Sequence, residues 1–402
     1  MQKTTMKERI ATIVLAISPI LSPYSVLRII PLNTFLIIIV CAFLFSMKAK
    51  INLKNYKFIL ILWFTHLLLS VSVTVFSSFS NSLLSSLIVG TVNVIGIVYL
   101  SSNSNFSLFV KYSNRIGIFS CLFLFSQAIS LALGVTPLSG KIIGLNLLDY
   151  SSFVQTTWGF RLNSIFQEPS YFAIYTLPLF AYNLKNRKLI FTFIYFLALL
   201  LSSSSLGIIG GSIVVIYFLF VRRIKAIYTL GAIFIFSFIH LILINLSTFY
   251  QSSLIRSFEK INNILIDSQI RLSGNFYLFE YLPTSNKLIG VGINQMQNYF
   301  GNGISNYSNS IVITVINFGI IGLVSYFIFL VFMGLLAKKE GRFEYFSIFI
   351  LILLVDYFIY NSFFYYILVF VFIENNAKER YENENIVNYS ESTGNKFIGF
   401  YK

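Results

Sequence analysis

Long apolar stretches recur along this chain from residue 10 to residue 373, and short segments that carry the charged residues separate them. An α-helix needs about 20 apolar residues to cross the hydrocarbon core of a membrane. Of the chain, 56% is hydrophobic and only 11% is charged, whereas soluble domains carry about 25% charged residues. The sequence therefore predicts an all-α fold, a polytopic helical bundle in a membrane.

The apolar pattern divides into about twelve predicted transmembrane helices. Residues 10–47 are too long for one span at about 1.5 Å per residue, so we divide them at a tight turn that contains Arg28 and Pro31. Residues 344–373 are divided near Asp356 and Asn361. The predicted spans are 10–27, 31–47, 57–77, 82–100, 115–135, 170–184, 188–203, 205–221, 226–247, 309–336, 344–359 and 361–373. They form one transmembrane domain, 1–374, followed by a polar tail, 375–402, that is predicted to be disordered and cytoplasmic.

The basic residues set the predicted orientation. A net charge of +15 is common in nucleic-acid-binding proteins, but here the basic residues are scattered between apolar segments rather than gathered into a patch. With the N-terminus inside, 22 of the 29 basic residues fall in inner segments, as the excess of Lys and Arg in cytoplasmic loops requires. We therefore expect both termini to be cytoplasmic and no nucleic acid to be bound.

Two predicted outer loops, about 136–169 and 248–308, are much longer than the other connections. Loops of this length are usually functional or disordered, and these two carry aromatic residues, glycines and charged residues. In the second loop, apolar residues recur at helical spacing between Leu254 and Ile270, beside Arg256, Lys260 and Arg271. That pattern predicts a helix on the outer membrane surface.

A few ionisable residues lie inside predicted spans. His66 and His240 each stand alone, and a hydrogen-bonded histidine of the bundle is a better interpretation for them than a proton relay. Asp356 fits two readings equally, an ion or proton path or a place near an outer helix end beside Asn361. Because no His, Cys or acidic residues cluster at metal-ligand spacing, we expect neither a metal nor another cofactor.

The segment RLNSIFQEPSYFA, residues 161–173, closes the first outer loop. Pro169 suits the first position of a helix, where its missing N–H is tolerated. Glu168 then lies at the N-cap, where the helix dipole favours the ionised carboxylate. Arg161 lies seven residues earlier. Two readings stay open: Glu168 and Arg161 belong to an active site, or Glu168 caps the helix and Arg161 neutralises it.

The second outer loop ends in KLIGVGINQMQNYFGNGISNYSNSIVITVINFGIIG. Gly290 and Gly292 permit a sharp turn, and Asn309-Ser310 then open a helix that carries Gly319 and Gly322. With the Arg–Glu–Pro–Ser stretch and the topology, these residues make the chain resemble the Wzy-type polysaccharide polymerases, which belong with the O-antigen ligases. In the ligases a histidine precedes the Asn/Ser pair, whereas this chain has Ser308. That departure favours a polymerase over a ligase.

The resemblance implies a GT-C-like architecture and a glycosyltransferase on the outer face of the bacterial cytoplasmic (inner) membrane. Such polymerases transfer a growing glycan from undecaprenyl diphosphate to a hydroxyl of an incoming lipid-linked repeat unit, without a metal. The product is a polysaccharide of the cell envelope, such as O-antigen, capsule or exopolysaccharide. The resemblance also implies a chain-length regulator and a flippase of the same pathway as possible partners.

The chemistry of the residues suits such a reaction. A guanidinium stays charged and matches phosphate oxygens, so Arg161 and Arg271 are expected to clamp the diphosphate, with Arg256 a weaker candidate. Glu168 is the expected base for the acceptor hydroxyl, and one carboxylate acting in a single displacement would invert the anomeric centre. Sugar-binding candidates are Tyr150, Trp158, Phe160, Asn309 and Ser310. For the aromatic residues, an interfacial belt is an equally good reading.

Two alternatives to the polymerase remain. The first is an O-antigen ligase, which would be expected to carry the missing histidine. The second, from another class, is a transporter such as a flippase for lipid-linked oligosaccharides. A transporter is expected to show paired half-sequences, or charged residues and broken helices near the middle of the membrane.

Overall fold

A computed structural model describes residues 5–26, 30–49, 51, 53, 55–74, 81–148, 155–156, 159–160, 162–202, 204–222, 276–301 and 309–373. This part of the chain is mostly helical. Its helices are α1 Met6–Leu21, α2 Leu32–Ser46, α3 Lys57–Val73, α4 Asn81–Ser102, α5 Phe106–Ala132, α6 Pro169–Lys185, α7 Leu189–Leu201, α8 Ser205–Arg222, α9 Phe276–Glu280, α10 Thr284–Ile289, α11 Met296–Phe300, α12 Ser310–Lys339, α13 Phe343–Val355 and α14 Ser362–Phe372. Its strands are β1 Tyr24–Val26, β2 Ile30–Pro31, β3 Asn146–Leu147, β4 Gln155–Thr156 and β5 Gly159–Phe160.

Three of the described helices are long and apolar enough to cross a membrane. They are α4, α5 over Phe106–Leu131, and α12, and six further apolar helices are shorter. The predictions of a mainly helical fold and of two separate helices within 10–47 and within 344–373 are confirmed. The predicted span 226–247, the surface helix of residues 254–270 and the tail 375–402 lie outside the described residues.

Helix α14 forms the centre of the bundle. All of its residues from Ser362 to Phe372 are buried, as expected of a helix that is apolar on every side. It contacts α1, α4, α6, α12 and α13. The rings of Tyr175 on α6 and Tyr366 on α14 stack at a centroid distance of 4.4 Å, and the Tyr175 hydroxyl donates to the carbonyl of Ala16 on α1. Aromatic stacking thus joins three helices at the core.

Short strands cover one end of the bundle, and the sequence did not predict them. β1 pairs antiparallel with both β2 and β3, so the turn after α1 is bonded to the first long loop. The backbone N–H of Ile142 donates to the Tyr24 hydroxyl at 2.8 Å. These bonds hold residues 142–148 against the turn between α1 and α2, at the same end as Glu168. We call this the Glu168 end, and the opposite end, where α6 finishes, the Lys185 end.

At the Lys185 end, charged groups tie the helices together. Lys185 forms a salt bridge with the buried carboxylate of Glu344 and donates to the carbonyl of Gly341 at 2.8 Å. Arg342 is 5% exposed, and its guanidinium donates to the carbonyls of Phe370, Val371 and Ile373. Arg342 therefore satisfies carbonyls that the last turn of α14 leaves without helical partners.

Arg342→Ala should lower the stability of the protein by about 2 to 3 kcal/mol, because it removes charge-assisted hydrogen bonds to buried carbonyls. The measurement is thermal denaturation of the purified protein in nanodiscs. Arg115→Ala, which removes an exposed arginine from α5, is the matched control and should leave the midpoint nearly unchanged. Equal midpoints for the two variants would contradict the capping role of Arg342.

Helix α12 is broken at Gly319, whose backbone has φ 66° and ψ −168°. The break leaves the carbonyls of Ile316 and Asn317 without their usual helical donors, and the N–H groups of Val291 and Gly292 bind them at 3.0 and 2.9 Å. A Cβ on Gly319 would lie 2.2 Å from the carbonyl oxygen of Leu288. The segment after α10 is therefore interlocked with the break in α12.

Candidate functional site

Glu168 is the N-cap residue of α6, and its side chain is exposed. The carboxylate bonds no N–H of the helix; instead its Oε2 accepts from the Ser170 hydroxyl at 3.2 Å. Among the described residues the one salt bridge is Lys185–Glu344, so no described cation pairs with Glu168. Arg161, its expected neutraliser, lies outside the described residues. The carboxylate thus sits at a helix N-terminus, where the dipole stabilises its charge, without capping the backbone directly.

The segment before Glu168 is held against α5. The side chain of Gln127 accepts from the N–H of Ser164 at 2.9 Å, and the Ser164 hydroxyl donates to the carbonyl of Ser120 at 2.6 Å. Gly140 packs on the same backbone, where a Cβ would lie 1.9 Å from the carbonyl oxygen of Ser164. Asn163 donates to the carbonyl of Gln167 at 3.2 Å. These bonds fix the path of the chain into α6 and hence the position of Glu168.

A cavity of about 280 Å³ opens beside this helix start. It lies among the turn after α1, the first turn of α2, the middle of α4, the start of α6 and the start of α14. Gln167 and Tyr171, on either side of Glu168 in the chain, both line it. The described residues that line it are all uncharged, and several are amides or hydroxyls: Asn33, Thr34, Asn93, Gln167, Tyr360 and Asn361.

Two side-chain hydrogen bonds join the helices around the cavity. Asn33 donates through Nδ2 to the Ser362 hydroxyl at 2.7 Å, and Thr34 donates to Oδ1 of Asn93 at 2.9 Å. Asn33 is only 3% exposed, and its Oδ1 has no hydrogen-bond partner among the described residues.

A second carboxylate lies near the site. Asp356 is the C-cap of α13; its Oδ1 accepts from the N–H of Tyr357 at 2.8 Å, and its carbonyl accepts from Ser310. Both Glu168 and Asp356 interact electrostatically with the Tyr171 hydroxyl. Of the two readings of Asp356, the structure supports the helix-end position, although the bond is to Tyr357 rather than to Asn361.

His66 is fully buried and bonded at both ring nitrogens. Its Nε2 lies 3.0 Å from the carbonyl oxygen of Gly322, which can only accept, so Nε2 carries the proton. Its Nδ1 accepts from the Tyr360 hydroxyl at 2.6 Å. The prediction of a hydrogen-bonded histidine of the bundle is confirmed for His66, and His240 lies outside the described residues. Tyr360 connects this histidine to the cavity, a link that the sequence did not indicate.

The remaining predicted site residues divide into two groups. Asn309 is the N-cap of α12 and accepts from the N–H of Val312, while the Ser310 hydroxyl bridges to the segment after α13. Both side chains are buried and form hydrogen bonds within the protein. Their contact with a sugar stays a prediction. The backbone of Phe160 is in β5. Outside the described residues lie Arg161, Arg256, Arg271, Tyr150 and Trp158.

The cavity residues were not among the predicted ones. The sequence offered one signal for them, because each is an isolated polar residue in an apolar segment: Asn33, Thr34, Asn93 and Asn361. They come from two helices, α2 and α4, and from the connection before α14, so no local motif links them. No model of a protein family matches this chain, and no curated protein matches it significantly. The site has to be interpreted from its own geometry.

Proposed function

We propose that the protein is a polysaccharide polymerase that transfers a growing glycan from undecaprenyl diphosphate to a hydroxyl of an incoming lipid-linked repeat unit. The observation that supports this best is the exposed carboxylate of Glu168 beside a polar, uncharged cavity at the same end of the bundle. A carboxylate without a described cationic partner can accept a proton, and amide and hydroxyl groups suit a hydroxyl-rich substrate.

The proposal includes a topology. We place twelve spans in the bacterial cytoplasmic membrane, with both termini cytoplasmic, so that the Glu168 end faces outward and the Lys185 end faces the cytoplasm. The distribution of Lys and Arg along the chain supports this orientation. The lipid diphosphate would then reach the Glu168 end from the outer leaflet.

In the proposed reaction Glu168 takes the proton of the acceptor hydroxyl as that oxygen attacks the anomeric carbon. The bond from the anomeric carbon to the diphosphate oxygen breaks, and undecaprenyl diphosphate leaves with the bonding electrons. Arg161 and Arg271, with Arg256 in support, would stabilise the charge on the leaving group. Because the reaction is a single displacement, the anomeric configuration would invert.

The experiment is the size distribution of surface and lipid-linked glycan in a deletion strain of the native host, resolved on a gel. A polymerase predicts that the ladder collapses to a single attached repeat unit. A full-length ladder retained on undecaprenyl diphosphate would indicate a ligase. An unchanged ladder in both fractions would rule out both activities.

The broken helix favours a second candidate, a flippase for the same lipid-linked substrate. Discontinuous helices are typical of transporters, and α12 is interrupted at Gly319. His66, which packs on Phe318 beside the break, is bonded at both ring nitrogens. In the same deletion strain a flippase predicts no repeat units on the surface and an accumulation of lipid-linked repeat units in the inner leaflet.

A further inference from the structure

We infer that the cavity beside Glu168 is a binding site for a neutral sugar ring, whose hydroxyls bond the amides and hydroxyls of the lining. This inference deepens the proposed function and rests on it for the identity of the substrate. It assigns a class of ligand to the cavity itself. The proposed reaction at Glu168 does not require that the cavity bind a ligand.

The size and position of the cavity suit part of a substrate. Its volume of about 280 Å³ lies just below the usual range of ligand sites, about 300 to 1,000 Å³. Its lining includes both Gln167, next to Glu168, and Asn93, in the middle of α4. Space of this size between helices accommodates one ring of a glycan, while the rest of a larger substrate stays outside.

The lining identifies the charge of the ligand. No described residue that lines the cavity carries a charge. A carboxylate or phosphate placed there would lose its hydration without gaining a cationic partner from the described lining, which is strongly unfavourable. The described lining therefore favours an uncharged group, with the diphosphate outside the cavity.

The hydrogen-bonding groups identify the ligand as rich in hydroxyls. The lining presents amides and hydroxyls from separate parts of the chain: Asn33, Thr34, Asn93, Gln167, Tyr360 and Asn361. Sugar hydroxyls both donate and accept, and so they match a lining of amides and hydroxyls. The ring of Tyr171, stacked on Phe363 at 4.7 Å, supplies an apolar surface for the sugar ring.

The test measures the direct binding of single sugars to the purified full-length protein in nanodiscs. Binding is detected by saturation-transfer difference NMR. The neutral probes are glucose, galactose, N-acetylglucosamine and rhamnose, and the acidic probes are glucuronate and galacturonate. We expect at least one neutral sugar to give a signal and the uronates to give none. Asn33→Leu should weaken the binding about tenfold or more, because it replaces a polar residue of the lining with an apolar one. Val89→Phe, which fills the cavity from α4, should abolish it.

Two matched controls separate binding from folding. Asn183→Leu removes another buried asparagine whose Oδ1 has no described partner, but at the Lys185 end. Ile88→Phe introduces the same side chain into α4 at a position that is 55% exposed and next to Val89. Both controls should bind the sugar as the unchanged protein does. If Asn33→Leu does not fold, the comparison of Val89→Phe with Ile88→Phe decides.

Three results would overturn the inference: no neutral probe binds, the uronates bind as well as their neutral counterparts, or Val89→Phe binds normally. In the first case the cavity holds water only. Failure of the proposed function is read separately, from the glycan ladder of the deletion strain. A collapsed ladder without sugar binding would support the polymerase but contradict the cavity as its sugar site. Sugar binding with an unchanged ladder would support the cavity as a sugar site but contradict the polymerase.

Discussion

Cells in which Glu168→Gln replaces the native protein should carry surface glycan of single repeat units, with longer chains strongly reduced. Glutamine keeps the shape of the side chain and its capacity to accept from Ser170, but it cannot take a proton. Loss of a general base typically slows a reaction about 10²- to 10⁴-fold, which is enough to remove the upper part of a ladder. The measurement is the gel ladder, together with the abundance of the protein in the membrane fraction.

Glu340→Gln is the matched control. Glu340 is also an exposed glutamate at a helix end, the C-cap of α12, but it lies at the Lys185 end. It should leave the ladder unchanged. Normal chain length in the Glu168 variant would remove this carboxylate from the mechanism. A fall in protein abundance in that variant alone would instead favour a structural role for Glu168 at the start of α6.

Gly319→Ala should abolish stable folding, with a loss of more than about 4 kcal/mol, which is exceptional for one substitution. Two effects combine. A residue with a Cβ is strained by about 1 to 3 kcal/mol at φ 66° and ψ −168°, a combination that essentially only glycine adopts. In addition, the new Cβ would lie 2.2 Å from the carbonyl oxygen of Leu288, so the interlocked segments would have to separate. The measurement is the thermal midpoint and the yield of folded protein in nanodiscs.

Gly341→Ala introduces a Cβ at positive φ without the clash. Gly341 has the same φ of 66°, but a Cβ there would meet no atom within 4 Å. It should therefore lose only about 1 to 2 kcal/mol. Equal effects of the two substitutions would mean that backbone strain, and not the interlock, determines the result.

The helices could be predicted from the sequence because hydropathy over about 20 residues is a strong signal. The predicted helix boundaries were less accurate where an N-cap residue determines the start of the helix. Helix α5 begins at Phe106, nine residues before the predicted span, because Oδ1 of Asn105 accepts from the N–H groups of Ser107 and Leu108. Lys111 and Arg115 are consequently inside the helix rather than in a loop.

Other features depend on distant pairs and give no local pattern. The strand pair that joins Ser25 to Asn146 is too short to show an alternation of apolar and polar residues. The sequence marked Gly319 and Gly322 as a motif, but the break follows from the approach of Leu288, which no spacing reveals. In the same way, the sequence predicted Glu168 at a helix start, whereas the cavity beside it combines residues from α2, α4, α6 and α14.

Helix α14 follows every other described helix in the chain and yet lies among them. Until its residues have been synthesised, the helices around it have no partner for the faces that they turn toward the centre. The bundle therefore cannot reach its final packing one helix at a time in the order of synthesis. Assembly has to remain open until a late segment enters, so ribosomes must complete most of this protein before its core can close.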